Sequence, residues 1–196
     1  ALGDRSQDPP NELVLTLANA KMDELLKEWQ QGNITKEELP QSNNGKSSNN
    51  GDEEDDEWIF LTGDQVVTCQ GAILEKPESI EEAKQFVQQY GQYPPSTVGS
   101  CVLHHVPSNI RVSGVDTATI YFDTKTLTPS AANTLVDTLV EQGEPVMSCA
   151  GGLMIEHPKV QEHVLRIDGT QDSVMGLSKP LVEKLLDEMA AKLKSS

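Results

Sequence analysis

The stretch "FLTGDQVVTCQGAILEKP", Phe60 to Pro77, sets an aspartate inside an otherwise apolar run and follows it closely with Gly71 and with a lysine held in front of a proline. The residues on either side of Asp64 have the apolar, β-branched character of strands. Gln70-Gly71 has the character of a hairpin turn, which predicts a mixed sheet rather than a purely parallel one. Asp64 comes directly after the apolar run Trp58 to Leu61, and strand ends in sheets flanked by helices are where ligand-binding residues gather. Pro77 biases Lys76 toward extended backbone and so fixes its direction. A carboxylate and an ammonium on adjoining segments could hold a metal, a water and a phosphate, although Gly-Asp beside a strand is more often an ordinary turn.

Working outward, further strand-like runs are "EWIFLT", "QVVTC", "STVGSCVLHHV", "TATIYF" and "EHVLRI". Upstream, "PPNELVLTLANAKMDELLKEWQQG" predicts an amphipathic helix closing near Gly32, with Val14, Leu17, Ala18, Lys21, Leu25 and Trp29 on one stripe. A lysine in that stripe either snorkels outward or points into a cleft with an anionic partner. Downstream, "PESIEEAKQFVQQYG" opens on a capping box from Ser79 to Glu82, and "TPSAANTLVDTLVEQG" has Thr128 as cap and Pro129 in its first turn. "SKPLVEKLLDEMAAKLK" carries Leu181, Leu185 and Met189 on one face and lysines in its last turn. Strands interleaved with helices predict an α/β class: one domain spanning 1–196, with a mixed, twisted β-sheet flanked by helices. Between the first helix and the sheet, "PQSNNGKSSNNGDEEDDE", residues 40–57, has no apolar side chain and is expected to be a disordered acidic insertion loop.

Composition narrows the function classes. The formal charge of −16 argues against a nucleic-acid polymer or an anionic membrane as partner, since either needs a broad basic face. A phosphate-bearing ligand must then meet local cations or a metal. No apolar run approaches the roughly 20 residues that span a bilayer. Three widely spaced cysteines, Cys69, Cys101 and Cys149, suggest reduced thiols and a cytoplasmic setting. The sequence begins at Ala1 rather than methionine, which leaves room for an upstream targeting peptide or an earlier part of the fold. On an alternating strand Cys101 and His105 share one face and His104 the other, so no single-face ligand set forms. Cys149 beside Ala150-Gly151-Gly152 suggests close backbone approach to a ligand rather than thiol chemistry.

Five blocks in order resemble the Maf proteins, nucleoside-triphosphate pyrophosphatases named after septum-formation inhibitors: "LANAK" ending at Lys21, "TGDQVV" around Asp64, "GAILEKP" with Lys76, "CAGGLMIEHP" from Cys149, and "GTQDSVMGLSK" from Gly169. The resemblance is closest to eukaryotic members and covers nearly the whole chain outside the acidic loop. It implies two lobes around a cleft, and hydrolysis of a nucleoside triphosphate to the monophosphate and pyrophosphate. It makes Asp64 the catalytic carboxylate, as proton acceptor or as metal ligand, and Lys21 and Lys76 phosphate-facing cations. It also implies a divalent metal, Mg2+ with Mn2+ or Co2+ as alternatives, and a homodimer. Physical chemistry agrees with these roles: water attack on a phosphoanhydride needs a proton acceptor, a positioned nucleophile and positive charge near the phosphate oxygens.

Base selection enters through Gln65 and Glu156. Maf proteins acting on dTTP and UTP carry threonine after the catalytic aspartate and glutamine at the position of Glu156; the pair found here resembles the branch acting on 7-methyl-GTP. Guanine offers two adjacent nitrogen donors that a carboxylate can accept, whereas uracil and thymine offer one donor flanked by acceptors. The dTTP/UTP activity is the alternative, as is a solvent-facing role for Glu156. The family's Ser-Pro-Arg-Arg phosphate loop has no counterpart, and Arg5, Arg111 and Arg166 stand in other settings. The sequence is therefore expected to start past the family's first strand and loop, with turnover expected only when that segment is present. A non-catalytic relative that binds nucleotides or a protein partner stays open beside the enzyme.

Overall fold

The segment around Asp64 forms one strand, β1 (Trp58–Cys69), rather than two short ones. It turns through Gln70 and Gly71, both at positive φ, into β2 (Ala72–Leu74). Positive φ at both central residues suits a two-residue hairpin because its twist matches that of the flanking strands. The computed structural model describes residue 3, residues 8–34 and residues 57–195. The expected acidic loop at 40–57 therefore falls outside the described residues except for the exposed Glu57.

The remaining elements are α1 (Pro10–Gln30), α2 (Ile80–Tyr90), β3 (Ser96–Val106), β4 (Ile110–Phe122), α3 (Pro129–Glu141), α4 (Pro158–Gln161), β5 (Val164–Asp168), α5 (Gln171–Met175) and α6 (Lys179–Ser195). Two short 3-10 turns, Val146–Ser148 and Ala150–Gly152, precede α4. The strands form one sheet in the order β2-β1-β3-β4-β5. The α/β class stands, but all four ladders among the described residues are antiparallel, where a mixed sheet was expected. Two hairpins account for two of the ladders, and the excursions through α2 and α3 lay β3 beside β1 and β5 beside β4, each reversed.

Strand alternation divides the core. Phe60, Val66, Val98 and Val102 face α1, which buries Leu13, Val14, Ala18 and Met22 against them. The buried stripe is thus rotated from the expected one, leaving Lys21 at its margin. The expected capping box of α2 also differs in detail: Ser79 caps the Glu82 amide, but Glu82 Oε2 accepts from the Glu78 amide. On the opposite face, Cys101, Leu103 and Val112 pack on Leu181, Leu185 and Met189 of α6. Further along that face, Val67, Ile120 and Phe122 pack against α2, α3 and the 3-10 turns. Burying a leucine or methionine completely stabilises the fold by about 1.5–3 kcal/mol, so α1 and α6 are each held mainly by a few such side chains. Strand β4 runs well upstream of "TATIYF", and the break in its apolar pattern at Ser113-Gly114 has a packing reason: a Cβ at Gly114 would lie 2.8 Å from the Leu181 side chain.

Candidate active site

Asp64 lies in the middle of β1, not at a strand end, and it points toward α1. Lys21 Nζ donates to Asp64 Oδ1 at 2.6 Å and to the Gly63 carbonyl at 3.0 Å. The Asp64 side chain is 12% exposed and that of Lys21 54%, so the lysine reaches from solvent onto a largely covered carboxylate. Asp64 Oδ2 is buried and has no hydrogen-bond partner among the described residues. Around the pair, hydroxyls fix α1 to the sheet: Ser100 Oγ donates to the Val14 carbonyl at 2.8 Å and Thr62 Oγ1 to the Ala18 carbonyl at 2.8 Å. Lys21 is thereby held in register with the strand. A lysine inside an amphipathic pattern has here found an anionic partner.

Gln65 points the other way. It lines a cavity of about 380 Å³ with Lys76, Glu156, Thr97, Cys149 and Met154, walled by Val67, Tyr90, Ile120 and Phe122. Tyr90 and Phe122 are stacked, with ring centroids 5.9 Å apart. Burial pushes the Cys149 thiol above its usual range, Glu156 adds to the shift and Lys76 opposes it, so both charges act at this point of the cavity. Gln65 Oε1 is a second buried oxygen without a partner among the described residues. The structure therefore brings together Lys21 with Asp64, and Gln65 with Lys76 and Glu156, on opposite faces of β1. Asp64 and Lys76 do not share a face.

The far wall of the cavity depends on glycine. Gly151 has φ +72°, and a Cβ there would sit 2.6 Å from Tyr90 Oη and 2.9 Å from Val67. Its carbonyl accepts from Tyr90 Oη at 2.7 Å, and its amide donates to the Glu75 carbonyl at 3.0 Å. The small residues after Cys149 thus allow close approach to the protein's own α2 and β1, and Cys149, Ala150 and Gly151 also line the cavity. Removing the strain on a side chain at positive φ is the reason only glycine fits.

The carboxylate and its orphaned oxygen suit a hard cation, which prefers oxygen donors. Among the described residues no group of three or more His, Cys, Asp and Glu could hold a metal ion, so a cation at Asp64 would take its other donors from phosphate or water. Residues 3–189 match the family model described as Maf-like protein. The chain belongs to that family.

This Maf-like chain is similar to a 7-methyl-GTP pyrophosphatase of Dictyostelium discoideum, 29% identical over 181 residues that make up 92% of this chain and 78% of that protein. It is also similar to a dTTP/UTP pyrophosphatase of Acholeplasma laidlawii (strain PG-8A), 30% identical over 131 residues, 66% of this chain and 63% of that protein. Sequence reading missed the apolar walls of the cavity, since Tyr90, Thr97 and Phe122 look like ordinary core positions. The Maf-like chain's histidines are committed elsewhere: His105 Nδ1 meets Ser108 Oγ at 2.7 Å, His157 Nδ1 accepts from the Lys159 amide, and His163 Nδ1 meets Thr126 Oγ1. The partners of His157 and His163 were not visible from sequence. No helix among the described residues is long and apolar enough to cross a membrane.

Proposed function

We propose that the protein is a nucleoside-triphosphate pyrophosphatase that cleaves the α–β anhydride of 7-methyl-GTP. Water attacks the α-phosphorus, the bond to the bridging oxygen breaks, and monophosphate and pyrophosphate leave. The observation that carries this reading is the division of charge and space across β1: a lysine-held carboxylate on one face and a base-sized cavity with Gln65 and Glu156 on the other. Strand β2 pairs only with Val67–Cys69, so among the described residues the β1 edge is free at Asp64 and Gln65. A nucleotide with its base in the cavity can pass its phosphates around that edge. Lys21 and Lys76 meet the phosphates as compact charges, and Asp64 accepts the water's proton or holds the metal.

A bound Mg2+, or Mn2+ or Co2+ in its place, would supply positive charge to the phosphate oxygens, with Asp64 Oδ2 as its protein ligand. Glu156 favours guanine because a carboxylate accepts from both adjacent donors of its edge. The name of the Dictyostelium relative supports the same base, while the Acholeplasma relative keeps dTTP and UTP as the second reading. A non-catalytic nucleotide binder is the third, supported by the engagement of both described arginines elsewhere: Arg111 with Asp23, and Arg166 with Asp168 and the Tyr121 ring. Three free cysteines support a reducing, cytoplasmic setting. A homodimer follows from the family resemblance, and light scattering on purified protein tests it.

The deciding assay is metal-dependent pyrophosphate release from 7-methyl-GTP, GTP, UTP and dTTP, paired with calorimetric binding of each. Turnover highest with 7-methyl-GTP is expected of protein that carries the family's phosphate loop. A ranking led by UTP or dTTP transfers the chain to the second reading, and binding without release to the third.

A further inference from the structure

The block "GTQDSVMGLSK" has no part in the chemistry proposed above, yet it closes the cavity. Helix α5 supplies Val174 and Met175 to the cavity lining, and Met175 stays 57% exposed at its rim. The helix is only five residues long and is bounded by two glycines at positive φ, Gly169 at +110° and Gly176 at +119°. Both sit tightly against the sheet: a Cβ on Gly169 would lie 2.9 Å from Ala118 Cβ, and one on Gly176 would lie 3.0 Å from Gln65 Oε1. The Gln65 amide, which lines the cavity, is therefore backed by the backbone of this segment.

Beyond the β5 ladder and the packing of Val174 on the core, one charge-assisted hydrogen bond among the described residues ties the segment to the sheet. Ser173 Oγ, in a residue 5% exposed, donates to Asp116 Oδ2 at 2.6 Å. Thr170 Oγ1 lies 2.7 Å from the same hydroxyl and caps the Ser173 amide. At the other end Asp172 Oδ2 accepts from the Lys179 amide, which anchors the segment to α6 rather than to the sheet. Asp116 reaches this place by register: Gln65, Gly99 and Asp116 lie opposite one another on three adjacent strands, and a Cβ at Gly99 would meet only the Gln65 Cβ, at 3.9 Å.

We infer that Asp116 and Ser173 are positioning residues for nucleotide recognition: their hydrogen bond seats α5 as the removable wall of the base cavity and sets the Gln65 amide behind Gly176. The functional part of this inference rests on the proposed pyrophosphatase reading, whereas the seating of α5 does not. Loss of the bond frees the wall and opens the cavity, so base binding weakens while the Lys21–Asp64 side is left intact.

The test uses the full chain with Ser173→Ala, Asp116→Ala and Asp116→Asn, the last retaining an amide oxygen that can still accept the serine proton. Kinetics with 7-methyl-GTP should show KM raised about tenfold in both alanine variants with kcat within about twofold, the effect expected of one charge-assisted bond acting on binding alone. Asp116→Asn should stay close to the wild type. Independently of turnover, N-ethylmaleimide should label the cavity-lining Cys149 several-fold faster in the alanine variants, with the buried Cys69 and Cys101 unchanged as internal controls. An unchanged Cys149 rate overturns the seating of α5, and so does an equal rise at all three cysteines, which would report general loosening. A faster Cys149 with unaltered KM overturns the recognition role, and absence of turnover in every protein, wild type included, counts against the pyrophosphatase reading alone.

Discussion

The two faces of β1 at Asp64 and Gln65 differ in how they treat polar groups. On the α1 face, one carboxylate is nearly covered, held on one oxygen by Lys21 and, among the described residues, left without a partner on the other. On the opposite face, an open cavity of about 380 Å³ is mostly apolar, and its charges, Lys76 and Glu156, stand exposed at the wall. A covered, singly partnered carboxylate is costly unless something completes it, and a roomy apolar cavity with few polar groups is built to select a shape. The difference teaches that a strand's alternation can separate a reacting group from a recognising one with a single step along the chain.

The largest effect should come from Asp64. Asp64→Asn keeps the volume and removes the charge, so turnover should fall by about 10² to 10⁴ while circular dichroism stays native. Full rate in that variant would remove Asp64 from the chemistry. Glu156→Gln should act on the other face alone, shifting the ratio of kcat/KM for 7-methyl-GTP over UTP by about tenfold toward UTP, because the amide replaces an acceptor by a donor. An unaltered ranking of bases refutes the guanine argument. Tyr90→Phe tests the wall rather than the charges: the Gly151 carbonyl loses its buried donor, and urea unfolding should show a loss of about 1–3 kcal/mol.

The smallest effect concerns neither face of the site. Burial, with Arg111 and then His105 adding to it, lowers the pKa of His104 below its usual 6.5. In the unfolded chain the imidazole takes up its proton at higher pH than in the fold, so stability is lost as pH falls through about 6.5. The melting temperature of the wild type relative to His104→Gln should therefore drop between pH 7 and pH 5. A constant difference across that range would contradict the shift.

Much of the frame was legible because local signals agreed with it. Ser79 and Thr128 cap helices where their spacing predicted, Leu181, Leu185 and Met189 are buried together, and β3 spans the quoted run. What escaped were features set by long-range packing. The upstream half of β4 reads as polar because Gly114 answers to a helix far along the chain, and the walls of the cavity come from core residues that meet only in three dimensions. The antiparallel ladder between β1 and β3 depends on how α2 returns the chain, which no local pattern states. Resemblance and residue chemistry point to the site residues one by one, while their division between two faces lies in the alternation of Asp64 and Gln65 along a single strand.

The central claim is that reaction and recognition lie on opposite faces of one strand. Calorimetric titration of 7-methyl-GTP into Asp64→Asn and into Glu156→Ala tests it most directly. Asp64→Asn is expected to bind within about threefold of the wild type and Glu156→Ala about tenfold or more weakly, a cost of one bidentate recognition contact. Equal loss of binding in both variants would contradict it.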